Sequence, residues 1–178
     1  DPFAVFSTLW FAEQLGCQVV ITVRHPAAFV SSLKRLVWPF DLADLLNQPL
    51  LMRDKLEPFR SEIEHIRRDP ADTIGHNSLL WRLVYHVVRD FQEKYPQFLV
   101  VRHEDLSSQP VEGFKALYDK LGINFSSRTK RAIVASSNPE NPKELASKAA
   151  HSIRLNSRLN LDNWKRRLTS KEVSQIRR

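Results

Sequence analysis

The sequence predicts a three-layer α/β domain, with helices covering both faces of a mainly parallel sheet. Two observations predict it. A short apolar run is twice followed by a helical pattern: Val19 to Val23 before a segment opening at Pro26, and Phe98 to Val101 before one running from Val111 to Leu121. Between the two units lie long helical patterns, the kind of crossover that joins parallel strands. At 178 residues, the chain has the length of one domain with its own core.

Each element follows from local pattern. Phe6 to Leu15 has helical apolar spacing and meets Gly16, a residue suited to ending a helix. Val19 to Val23 is a continuous, largely β-branched run, which predicts a strand buried on both faces. Pro26 fits a first helical turn, and Phe29, Leu33 and Leu36 form a stripe at i, i+4 and i+7. Pro49 to Arg67 and Asn77 to Tyr95 read as helices, the second with Leu80, Val84, Val87, Val88 and Phe91 as its apolar side. Pro96 closes that helix, and Gly122 ends the one that starts at Val111. After Ser126 come a short helix, a polar tract rich in Asn, Pro and Ser, then Trp164 and a last helix from Ser170. No repeat or long linker divides the chain.

Composition narrows the class. With 42% hydrophobic and 26% charged residues, and only four Gly against ten Pro, the chain has the makeup of a soluble globular domain rather than a disordered one. Runs such as VVITV and FLVV fall far short of a membrane span, so no membrane insertion by this segment is expected. The lone Cys17 cannot form an internal disulfide and reads as a small core residue beside the first strand. A cytoplasmic location is compatible with that, and an upstream targeting or anchor segment is left open. The net charge of +7 is concentrated: Arg128 to Arg178 holds thirteen Lys/Arg against four Asp/Glu. Such a stretch suits a polyanion, a phosphorylated small ligand or simply a solvated surface.

In open α/β sheets ligands bind beyond the carboxyl ends of the strands, which singles out Arg24, His25, His103, Glu104 and Asp105. Arg24 stands just before a helix N-terminus, where free N–H groups and the helix dipole favour an anion, and its guanidinium adds a fork for two phosphate oxygens. Ser32 lies on the flank of the apolar stripe, on the side of Ala28, and suits the same anion better than the opposite-facing Ser31. The alternative for Arg24 is an ion pair with Glu104 or Asp105. Those two carboxylates read as turn and cap formers, and Trp164 as a packing anchor for the last helix. His65, His76, His86 and His151 show no metal-ligand spacing, so no metal is expected.

Arg24-x-Pro26 followed by Ser32, after a short apolar strand, resembles the 3′-phosphate loop of sulfotransferases that use 3′-phosphoadenosine 5′-phosphosulfate (PAPS). Three further segments fall in that family's order. LVVRHEDL with Pro110 and FKALYDKLGI resembles its Glu-Asp-Leu turn and following helix, NSRLNLDNWKRRLTSKEV resembles its closing segment, and the opening Asp1-Pro2-Phe3 resembles the tail of a Lys-Asp-Pro turn. The resemblance implies a P-loop NTPase-like domain truncated at its N-terminus, PAPS as co-substrate, and sulfuryl transfer to a hydroxyl or amine of a small-molecule or carbohydrate acceptor. It also implies a 3′-phosphate held by Arg24, Ser32 and Arg158, with Ser157 beside it.

The departures are specific. No GxxxxGK[ST] loop is present, so the phosphosulfate loop and the catalytic groups are expected upstream of Asp1, and the segment alone is expected to be inactive. His103 stands where the family usually has Tyr near the adenine, and the closing segment lacks a clean Arg-Lys-Gly. Trp38, Phe40, Met52, Trp81 and Tyr85 offer apolar surface for an acceptor pocket. Two other classes are carried alongside: a nucleotide phosphotransferase of related fold, and a basic nucleic-acid-binding domain. No nucleic-acid partner is expected, because aromatic residues are not interleaved with the basic ones.

Overall fold

A 3-10 stretch, Pro2–Ser7, leads into α1 (Thr8–Leu15), which Gly16 ends in the left-handed region at φ 61°. The computed structural model describes residues 2–38, 40–144 and 154–177. The turn at Gly16 delivers the chain to β1 (Val20–Val23), which passes through Arg24 and His25 into α2 (Pro26–Leu36). Pro26 occupies the first helical turn, where its missing N–H costs nothing.

The next stretch departs from the expected single helix over Pro49 to Arg67. After α3 (Ala43–Leu46), the chain forms α4 (Pro49–Leu51), a π turn at Met52–Leu56, a 3-10 turn at Glu57–Phe59, and α5 (Arg60–Ile66). Pro58 explains the break. Its ring lacks a donor and crowds the carbonyl four residues back, so the helix widens before it and tightens around it.

Asp72 then starts the longest element, α6 (Thr73–Lys94), by accepting a 2.9 Å hydrogen bond from the Gly75 amide. The helix begins four residues earlier than its apolar pattern indicates, because Asp72 supplies a cap that lies outside that pattern. β2 (Leu99–Arg102) follows and pairs in parallel with β1, Val20 opposite Leu99 and Val23 opposite Arg102. α7 (His103–Ser108) and α8 (Pro110–Lys120) come directly after it. α9 (Ser127–Ser137) is capped by Ser126, and α10 (Ser157–Asn160) by Asn156. α11 (Trp164–Arg167) and α12 (Ser170–Ile176) close the chain, the latter with a reciprocal capping box between Thr169 and Glu172.

The main core gathers around α6. Leu79, Leu83, Val87 and Phe91 are all but inaccessible, and they pack with Leu42, Met52, Leu56 and Ile63. Ile21 and Val23 of β1 join this core, whereas Val20 and Thr22 are exposed. The run of β-branched residues in β1 is therefore buried on one face, not on both as its composition predicts. Among the described residues the sheet has two strands, and β2 covers one edge of β1. Cys17 is exposed just before β1 and not in the core.

A smaller cluster ties the C-terminal segment down: Ala27, Val30, Ile74 and Leu168, with Trp164 and Val173 packed against them. Polar contacts reinforce it. Lys34 Nζ lies 2.6 Å from Glu172 Oε1, and Gln175 donates to both Asp72 carboxylate oxygens at 2.9 and 3.0 Å. Among the described residues no helix is long and apolar enough to cross a membrane.

Leu83 is fully buried at the centre of α6, and Leu83→Ala is expected to cost about 2–5 kcal/mol in urea unfolding. A loss under about 1 kcal/mol would mean that α6 is not the axis of the core.

Candidate anion site at the β1–α2 junction

Arg24 and His25 occupy the short joint between β1 and α2, and four side chains fix its path. The Trp81 indole N–H donates to the Arg24 carbonyl at 2.8 Å, and the Tyr85 hydroxyl accepts from the Arg24 amide at 3.1 Å. That hydroxyl also donates to the Thr22 carbonyl at 3.3 Å. One residue on, the His25 amide donates to Glu104 Oε1 at 2.8 Å, and its imidazole stacks on Trp164 with ring centroids 5.2 Å apart and 17° between planes. Trp81 and Tyr85 sit one turn apart on α6, while Glu104 comes from the first turn of α7. The joint is thus held from two sides.

With its backbone committed, Arg24 presents a side chain that has no partner. Its Nε is buried and unbonded, and the guanidinium makes no ion pair among the described residues. The carboxylates weighed as partners are engaged elsewhere: Glu104 on the His25 amide, and Asp105 in an exposed 3.9 Å pair with Arg102. Burial is the strongest influence on the Arg24 guanidinium and holds it below the ordinary arginine value. Glu104 opposes that shift, and the charges of Arg167 and Arg35 add to it. Arginine keeps its proton, so the joint carries a half-buried cation with no ion pair among the described residues.

His103 opens α7 at the carboxyl end of β2, beside Arg24. Its Nδ1 is buried without a partner, and its Nε2 lies 3.5 Å from Ser107 Oγ. Burial first, and then the Arg24 charge, holds its pKa below 6.5. The imidazole is neutral at pH 7, with one ring nitrogen open to a ligand.

The remaining sequence candidates divide. Ser32 is half-buried on α2, in the turn after Ala28. Ser157 and Arg158 dock α10 on α7, Ser157 Oγ donating to the Ser107 carbonyl and Arg158 Nε to the Ser108 carbonyl, both at 2.8 Å. They therefore reach the C-terminal end of α7, opposite the end that His103 opens, and the charges acting on Arg24 include those of Arg167 and Arg35 but not Arg158. Trp164 belongs to the small core and to the His25 stack, the anchoring role its sequence context indicates. Of the residues assigned to an acceptor pocket, Met52 is core and Trp81 and Tyr85 serve the junction. Trp38 and Phe40 line a cleft of about 420 Å³ with Thr73, His76 and Asn77. His151 and Asp1 lie outside the described residues.

A larger cleft of about 650 Å³ runs along β1 and reaches Arg24, Tyr85 and His103 at one end. Comparison with protein families matches residues 13–178 to the sulfotransferase domain. The chain belongs to the sulfotransferase domain family. Neither a curated protein nor a solved structure matches it. Within this sulfotransferase domain, the matched span takes in β1, the junction, α7 and the closing helices, every element that contributes to the Arg24 site. Among the described residues no three His, Cys, Asp or Glu side chains cluster as a metal site would require.

His103 gives a pH test. Its folded-state pKa lies below 6.5, so between that lowered value and 6.5 the unfolded chain binds more protons and stability rises with pH. Urea midpoints are expected to fall as pH drops below about 6.5, with a shallower slope in His103→Asn. Identical slopes in the two proteins would remove the buried neutral imidazole from the account.

Proposed function

We propose that this sulfotransferase domain binds PAPS through the junction that ends β1, and that Arg24, Ser32 and Arg158 hold the 3′-phosphate of the nucleotide. The observation that carries the proposal is the Arg24 side chain: half-buried, positively charged, its buried Nε without a hydrogen-bond partner, at the carboxyl end of a parallel strand and the start of a helix. A phosphate monoester satisfies such a group with two charge-assisted hydrogen bonds. In a three-layer, P-loop-like arrangement of the sheet, β1 and β2 would be the strands that deliver this half of the donor site.

The reaction is an in-line displacement. The acceptor hydroxyl or amine attacks sulfur, the bond between sulfur and the 5′-phosphate oxygen breaks, and adenosine 3′,5′-bisphosphate leaves as the acceptor proton passes to a base. As in phosphoryl transfer, the protein contributes positioning and charge stabilisation. Arg24 would fix the nucleotide by its far phosphate, and the clamps from Trp81 and Tyr85 keep the guanidinium aimed. His103, neutral and one ring nitrogen short of a partner, would offer a hydrogen bond to the nucleoside. These groups select and orient the donor, and the residues that grip the reacting sulfate belong to a loop of the phosphosulfate-binding type, for which this sequence has no candidate. The open acceptor classes are a small-molecule hydroxyl or amine and a carbohydrate.

A thermal-shift titration of the full-length protein with adenosine 3′,5′-bisphosphate tests this reading. Stabilisation by the bisphosphate should exceed that by adenosine 5′-monophosphate, and Arg24→Ala should weaken bisphosphate binding about 10–100-fold. Tyr85→Phe, which removes the hydroxyl bonded to the Arg24 amide and the Thr22 carbonyl, should lose about threefold to tenfold. No preference for the bisphosphate in the wild type would refute the reading.

A further inference from the structure

Arg24 is not the only orphaned donor beside α2. Ser31 Oγ and Arg35 Nη1 are also buried without a hydrogen-bond partner. Ser31 is 1% exposed, and leaving such a group unpaired is unusual in a folded protein. Three unpaired donors gathered along one short helix, two of them guanidinium nitrogens, are harder to accept as separate packing accidents. Donors without acceptors ask for an anion.

The helix geometry brings them together. Ser31 and Arg35 are four residues apart and share one face of α2. Side chains on a helix lean toward its N-terminus, which carries the Arg35 side chain back past Ser31 toward the joint where Arg24 stands. The charge of Arg35 acts weakly on Arg24, disfavouring its charge after the larger effects of burial, Glu104, Arg167 and Tyr85. No acidic side chain forms an ion pair with either among the described residues, although nearby Arg167 has Glu144, at 2.6 Å from its Nε. Lys34, next in sequence to Arg35, is likewise neutralised by Glu172. Lys34 and Arg167 thus each have a carboxylate, whereas Arg24 and Arg35 form no ion pair among the described residues.

We propose that Arg35 is a second guanidinium ligand of the phosphate monoester seated at Arg24, with the Ser31 hydroxyl as a donor between them. The seat then extends along the buried face of α2 instead of ending at its N-terminus, and two arginines share a dianion as one could not. This makes Ser31, and not only its neighbour Ser32, a contributor to the site. The proposal rests on the donor-binding reading above.

The test is a binding series on the full-length protein with two probes, adenosine 3′,5′-bisphosphate and adenosine 5′-monophosphate. Arg35→Gln, which keeps length and polarity but removes the charge, is expected to weaken the bisphosphate about tenfold and to leave the monophosphate within about twofold. Arg35→Lys should recover part of the loss, and Ser31→Ala should lower bisphosphate affinity severalfold. A structural role for Arg35 would move both nucleotides together, so an equal loss for both, or unchanged selectivity in a folded Arg35→Gln protein, overturns the inference. Wild-type protein that does not distinguish the two nucleotides overturns the donor reading and this inference with it. Circular dichroism of each variant confirms folding, and Arg35→Lys carries the test if Arg35→Gln does not fold.

Discussion

Trp81 and Tyr85 hold both backbone polar groups of Arg24, the indole N–H on its carbonyl and the phenol oxygen on its amide. Ordinarily the residues that leave a strand find their backbone partners in the next strand or in solvent. Here they are supplied by one face of the longest helix, whose position is in turn fixed by the core on its other face. The direction in which the Arg24 side chain points is therefore set by α6 packing. The same grip brings the start of α2 against the carboxyl end of the sheet, so the helix N-terminus and Arg24 meet there. Other features of the site presuppose this one: Glu104 can receive the His25 amide, and His25 can stack on Trp164, only where the joint is held.

Electrostatically, the site is built by withholding partners. Arg167 and Lys34 have carboxylates, and Asp90 serves both Lys55 and Lys94, so the fold neutralises cations readily where it needs to. At Arg24 it does not. Glu104 is hydrogen-bonded to a backbone amide, and its charge offsets only part of the penalty that burial places on the guanidinium. A permanent carboxylate at that point would compete with any phosphate. Its absence leaves the junction without a structural ion pair among the described residues and suits it to the anion proposed above. The neutral state of His103 fits the same arrangement, because a second buried positive charge beside Arg24 is disfavoured until an anion arrives.

Much of this was legible in the residues. The two strand-and-helix units, the role of Gly16, the short helix after Ser126 and the position of Arg24 at a strand end all follow from local pattern, and the structure places them accordingly. The both-face burial of β1 was not legible. A continuous apolar run records what could cover a strand and cannot say whether anything does, and Val20 and Thr22 are uncovered among the described residues. The break near Pro58 was visible as a proline, yet apolar periodicity on either side masked it. Trp81 and Tyr85 look in sequence like acceptor surface. Their clamping role depends on contacts with residues 57 and 61 positions away, which no local window contains. Arg35 and Ser31 were hidden for a different reason: being unpaired is a property of the surroundings, not of the residue.

The most direct measurement is the side-chain nitrogen spectrum of Arg24 in the full-length protein, assigned by comparison with Arg24→Lys. On this account the Arg24 Nε–H signal shifts strongly downfield and exchanges more slowly with solvent when adenosine 3′,5′-bisphosphate is added, and responds little to adenosine 5′-monophosphate. An Arg24 signal that stays unchanged at saturating bisphosphate would contradict the claim that this unpaired guanidinium is the donor's anchor.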